Sequence, residues 1–142
     1  METNKGTLYI VATPIGNYED ITLRALNVLK AVDYIACEDT RHTGVLLKHY
    51  EIKKPLFAYH KFNETDKSSY ILELLDEGKS VAIVSDAGSP GISDPGVIAA
   101  RAAREAGYTV TAIPGATAFV TSLMASGLDL SHFAFIGFAP QK

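Results

Sequence analysis

The chain has 142 residues, 47% hydrophobic and 20% charged, with a formal net charge of −3. That balance belongs to a soluble globular domain with a sizeable core; it excludes a disordered chain, and no apolar run reaches the length of a membrane span. The single cysteine, Cys37, excludes an internal disulfide and fits a reducing, cytoplasmic setting, and the opening METNKGTLYIVATP lacks the apolar core of a signal peptide.

Strand-like apolar runs alternate with helical patterns. TLYIVAT, residues 7–13, reads as the first strand. The next segment places Ile21, Ala25, Val28, Leu29 and Val32 on one helical face, with Asp20 as the expected N-cap. DYIAC is the second strand and takes Cys37 as a small buried residue. A helix from Thr40 buries Thr43, Leu46, Leu47 and Tyr50. PLFAY is a short third strand, followed by a helix over about 64–77 that stops at Gly78. SVAIVS is the fourth strand. Asp94 and Pro95 then mark an N-cap and first helical position, and that helix ends at Gly107. TVTAI is the fifth strand, and Pro114-Gly115 opens a last helix to about Ser126.

Five strands, each followed by a helix, predict an α/β fold: a Rossmann-like, doubly wound, mainly parallel five-stranded sheet with helices on both faces. The tail GLDLSHFAFIGFAPQK breaks the alternation. Its run FAFIGF reads as a strand with no successor, so the expected organisation is one α/β domain over 1–127 and the start of a truncated second domain over 128–142.

In an open parallel sheet, ligands bind beyond the carboxyl ends of the strands. TPIGN, EDTRH, HKFNE, SDAGSPGISDPG and PGATA all fall there. Neither G-x-x-x-x-G-K-[ST] nor G-x-G-x-x-G is present, so a di- or triphosphate is disfavoured. The acids Glu38, Asp39, Asp86 and Asp94 favour a cation or a ligand rich in hydroxyl and amino groups, and S-adenosyl-L-methionine meets that description. Between Thr40 and Phe62, five basic residues (Arg41, Lys48, Lys53, Lys54, Lys61) face one acid, Glu51, and His42, His49 and His60 lie in the same window. By itself that window reads as a solvated surface with incidental lysines.

The stretches GTLYIVATPIGNYEDIT, ACEDTRHT, VSDAGSPGISDPG, IPGATA and GFAPQK together resemble the N-terminal half of the ribosomal RNA small subunit methyltransferase I family. That family lies within the tetrapyrrole methylase superfamily of S-adenosylmethionine enzymes. The resemblance implies methyl transfer to the ribose 2′-hydroxyl of a cytidine in the decoding region of small-subunit ribosomal RNA, on the 30S subunit. It also implies a two-domain, homodimeric enzyme with the cofactor in the interdomain cleft. Cofactor contacts are expected from Pro14, Gly16, Asp86, Gly88, Ser89, Asp94, Ala116 and Thr117, with no metal. Glu38 or Asp39 would orient the ribose or take its proton, Arg41 would hold RNA phosphate or an acidic neighbour, and His60 is a second candidate base. In this context the basic window is expected to face RNA. With the second domain missing beyond its first strand, the chain alone is expected to fold but to turn nothing over. The alternatives are a small-molecule methylase of the same fold and a non-catalytic RNA-binding module.

Overall fold

The computed structural model describes residues 4–92 and 95–140. The strands are β1 (Thr7–Val11), β2 (Tyr34–Cys37), β3 (Leu56–Ala58), β4 (Val81–Val84) and β5 (Thr109–Ile113). The helices are α1 (Leu23–Ala31), α2 (Thr40–His49), α3 (Glu64–Asp76), α4 (Val97–Glu105) and α5 (Ala118–Ser126). The sheet order is β3-β2-β4-β1-β5, and every neighbouring pair is parallel. All four residues of the central VAIV strand are buried, as a strand covered on both faces requires.

Two cores sandwich the sheet. Ala25 and Leu29 of α1 and Leu47 of α2 pack on Val11, Ile35, Ala82 and Val84. Ile71 and Leu75 of α3 and Ala99 and Ala103 of α4 pack on Leu8, Ala36, Val81 and Ile83 from the other side. Each fully buried aliphatic side chain contributes about 1.5–3 kcal/mol. The helices leaving β1 and β2 therefore cover one face, and the helix leaving β4 covers the other. β4 lies between β1 and β2, so the winding reverses there and the loops at its carboxyl end part to leave a crevice.

The starts of three helices differ from the sequence expectation, and one expected strand is not formed. Asp20 is not the cap of α1: it closes a short 3-10 turn, Tyr18–Asp20, and Thr22 caps the helix by accepting the Ala25 N–H at 2.9 Å. Pro95 is not the first residue of α4, which begins at Val97 behind Gly96; Asp94 lies outside the described residues. α5 starts at Ala118, since Thr117 is still extended and is held to the β4 loop. FAFIGF forms no strand among the described residues. Its Phe135 instead stacks on Phe119 of α5, with ring centroids 4.5 Å apart.

Candidate functional site

The loops after β1 and β4 are joined at the crevice. Thr13 and Gly88 exchange N–H···O=C bonds of 2.9 and 3.0 Å, an antiparallel bridge just beyond two parallel strands. Gly88 must be glycine: its φ is +81°, and a Cβ there would stand 3.3 Å from Ile15 Cγ2. The β4 loop is tied sideways to β5 as well. Ser89 Oγ lies 2.8 Å from Thr117 Oγ1 and 3.2 Å from the Ala116 carbonyl, which it donates to.

The Asp86 peptide is held at both ends. Its N–H donates to Glu38 Oε1 at 3.2 Å, and its carbonyl accepts from His42 Nε2 at 2.8 Å. A carbonyl can only accept, so the His42 proton is on Nε2. In the sequence His42 stands out only as a member of the basic window. The missed signal is helical spacing: residues 42, 45, 46 and 49 share one face of α2, and the first three line the crevice.

Three cavities follow from this arrangement. The first, about 590 Å³, is lined by Pro14, Gly16, Tyr18, His42, Val45 and Asp86. The second, about 330 Å³, lies between the β4 and β5 loops, with Gly88, Ser89 and Thr117 opposite Ile92, Phe119 and Phe135. No lysine or arginine lines either, among the described residues. The third, about 730 Å³, brings Glu38, Asp39, His60, Glu64 and Asp86 together beside Lys61 and Phe62. Asp86 borders both the first and the third. The expected cofactor and substrate residues among those described are thus gathered on one edge; Asp94 lies outside the described residues, and Arg41, at the start of α2 on that edge, lines none of the three cavities, its side chain 93% exposed and paired with Asp39 at 3.5 Å.

The titrating groups separate by role. Asp39 caps α2, and the Arg41 backbone N–H followed by its guanidinium holds the Asp39 carboxyl below the usual range, which makes it a weak base. His60 Nδ1 accepts the Phe62 N–H at 3.3 Å, so in the neutral ring Nε2 carries the proton. Burial pushes the Cys37 thiol up to about 11, which suits a core residue and not a nucleophile.

The start of α4 is capped through space. Gly96, at φ +140°, offers no side chain. The Tyr59 hydroxyl accepts the Ala99 N–H at 3.3 Å, and Glu64 Oε2 accepts the Gly96 N–H at 3.1 Å. Tyr59 also donates to that carboxylate at 3.2 Å and lies 3.3 Å from Ser68 Oγ. This network fixes one wall of the third cavity.

The basic window divides. Lys61 lines the third cavity and Arg41 pairs with Asp39 beside it, whereas Lys48, Lys53 and Lys54 line a separate groove at the far end of α2. Seven residues of helix, about 10 Å, separate Lys48 from Arg41.

The sequence matches the tetrapyrrole (corrin/porphyrin) methylases over residues 7–139. It is 55% identical over 142 residues to ribosomal RNA small subunit methyltransferase I of Pasteurella multocida, covering 100% of this chain and 50% of that protein. The protein of the same name from Escherichia coli O157:H7 is 53% identical, over 99% of this chain and 49% of that one. The chain spans about half the length of the curated relatives it matches. Among solved structures, uroporphyrin-III-C-methyltransferase from Thermus thermophilus superposes with a TM-score of 0.67 at 31% identity, covering 89% of this chain and 55% of that one.

Proposed function

The chain belongs to the tetrapyrrole (corrin/porphyrin) methylase family, and from that premise we propose that it is the cofactor-binding half of an S-adenosylmethionine-dependent ribosomal RNA methyltransferase. Its substrate is the ribose 2′-hydroxyl of a cytidine in small-subunit RNA, presented on the 30S subunit. The observation that carries the reading is the pairing of two features: identity above 50% to enzymes named for ribosomal RNA methylation, and a crevice edged by carboxylates with no lysine or arginine, among the described residues, in its two inner cavities.

The donor set fits the cofactor. Asp86 and backbone carbonyls suit an ammonium and a ribose diol, the Ser89 and Thr117 hydroxyls add adaptable partners, and Ile15, Ile92 and Phe119 offer an apolar slot for a base. When bound, the cofactor supplies a sulfonium-activated methyl group. Glu38 and His42 hold the Asp86 peptide, so the loop keeps one geometry as the site fills. With Asp39 committed to its helix cap and His60 protonated at Nε2, Glu38 is the better acceptor for the ribose proton. His60 then donates to the substrate.

We read residues 1–127 as the cofactor domain and 128–142 as the entry into a second domain. That domain would cover the exposed apolar side chains Val120, Met124, Ile136 and Phe138 in a cytoplasmic homodimer. No described helix is long and apolar enough to cross a membrane. Calorimetric titration with S-adenosylmethionine, with ATP as control, tests the crevice: weak heat with the first and none with the second is expected. The chain joined to the C-terminal half of the Pasteurella multocida relative should label 30S subunits at a cytidine 2′-oxygen, while the chain alone should not. Preferential binding of ATP, or methylation of a tetrapyrrole and not of 30S subunits, would overturn the reading.

A further inference from the structure

The third cavity has a polarity of its own. The half-buried carboxylates of Glu38, Asp39 and Glu64, the exposed Asp86 and the His60 ring line it, while at its mouth stand the exposed Lys61 and Phe62. Phe62 is 85% exposed, an unusual position for a phenyl ring in a turn between a strand and a helix. The turn is braced. Asn63 Oδ1 accepts the His60 N–H at 2.9 Å, Asn63 Nδ2 donates to the Ala58 carbonyl at 3.0 Å, and the Phe62 N–H donates to His60 Nδ1. The ring is flanked by its neighbours: Lys61 Nζ lies 5.0 Å from its centroid, and the His60 ring meets it edge-on at 5.9 Å. The hydrogen bonds fix the backbone of the turn, and packing within the chain does not cover the ring that it presents to solvent.

We propose that Phe62 is a stacking platform for an unpaired nucleobase, at the entrance through which a single-stranded RNA nucleotide reaches Glu38. The inference rests on the RNA reading above and adds to it the residue that grips the base. The charge pattern matches a nucleotide from outside inward. Lys61 and the 93%-exposed Arg41 meet phosphate, Phe62 offers a π-face, and the carboxylates of Glu38, Asp39 and Glu64 accept from ribose hydroxyls and an exocyclic amine. A cavity of about 730 Å³ is large enough for a nucleoside.

The test titrates this chain into a short unstructured RNA carrying 2-aminopurine, whose fluorescence is quenched when the base stacks. Wild type should bind with quenching and with an affinity that falls as salt rises. Phe62→Ala should weaken binding about 5- to 100-fold and abolish the quench, Phe62→Leu should behave like Phe62→Ala, and Phe62→Tyr should stay within about twofold of wild type. Circular dichroism melts check that the variants fold; substitution of so exposed a ring should leave them unchanged. If wild type binds RNA with salt dependence but Phe62→Ala matches it, stacking is overturned while the RNA reading stands. If wild type binds no RNA at low salt, the RNA reading of this edge fails and the platform with it. If Phe62→Ala instead dissolves a self-associated form and leaves RNA affinity untouched, Phe62 is a protein contact and the proposal is overturned.

Discussion

Replacing Tyr59 by phenylalanine removes one oxygen and leaves the packing volume intact, so it isolates the through-space cap of α4. Tyr59 and Ala99 are both buried. Without the hydroxyl, the Ala99 N–H has no side chain at Gly96 to turn to, and an unsatisfied buried donor costs about 1–3 kcal/mol. The loss of the contact with the buried Ser68 hydroxyl adds about 1 kcal/mol, for a total of about 2–4 kcal/mol. At ~2.1 cal/mol/K of unfolding entropy per residue, a chain of this size loses about 3 °C of Tm per kcal/mol, so Tyr59→Phe should melt about 6–12 °C lower. The same variant carries a pH signature. Burial above all raises Tyr59 from its ordinary value of 10.0 to about 12, so the fold favours the neutral hydroxyl. Its contribution is complete below pH 10 and is lost as pH rises from 10 to 12. Urea unfolding between pH 8 and 11.5 should therefore show a wild-type decline that is shallower in Tyr59→Phe. Part of it should persist from Cys37, whose raised value of about 11 acts in the window above 9. A Tm within about 2 °C of wild type would refute the capping argument, and so would identical alkaline declines.

Three further outcomes follow from single positions. Glu51 sits at φ +58° just past the end of α2, where glycine is at ease, so Glu51→Gly should raise stability by up to about 1 kcal/mol, and an unchanged or lower Tm would contradict that. In the joined enzyme, Glu38→Gln keeps an oxygen for the Asp86 N–H but loses basicity, so kcat should fall about 10²- to 10⁴-fold with cofactor affinity nearly kept. His42→Ala should do the reverse, weakening cofactor affinity more than kcat. Wild-type turnover by Glu38→Gln would remove it as the base.

The alternation of apolar strands and amphipathic helices was legible along the chain because it depends on local periodicity and on glycines that stop helices. The rule that loops at strand carboxyl ends form the site then brought Pro14, Glu38, Asp86, Ser89 and Thr117 to one edge before any contact was known. Element ends were less legible. Asp20 and Pro95 are good local signals, but Thr22 and Gly96 hold the cap positions. The run FAFIGF has strand composition, yet a strand needs a neighbour to receive its N–H and C=O groups, and the tail lies on α5 instead.

Composition and period alone thus determined the layers, the parallel sheet and the edge that carries the candidate site. Tertiary structure decided which groups act on one another there. Tyr59 and Glu64 cap a helix 40 and 32 residues further on, Glu38 and His42 hold an aspartate peptide 48 and 44 residues away, and one basic window becomes two surfaces at opposite ends of α2. Hydrogen bonds and charges act over a few ångströms of space whatever the distance along the chain, so no local window contains both partners until the sheet has closed the gap.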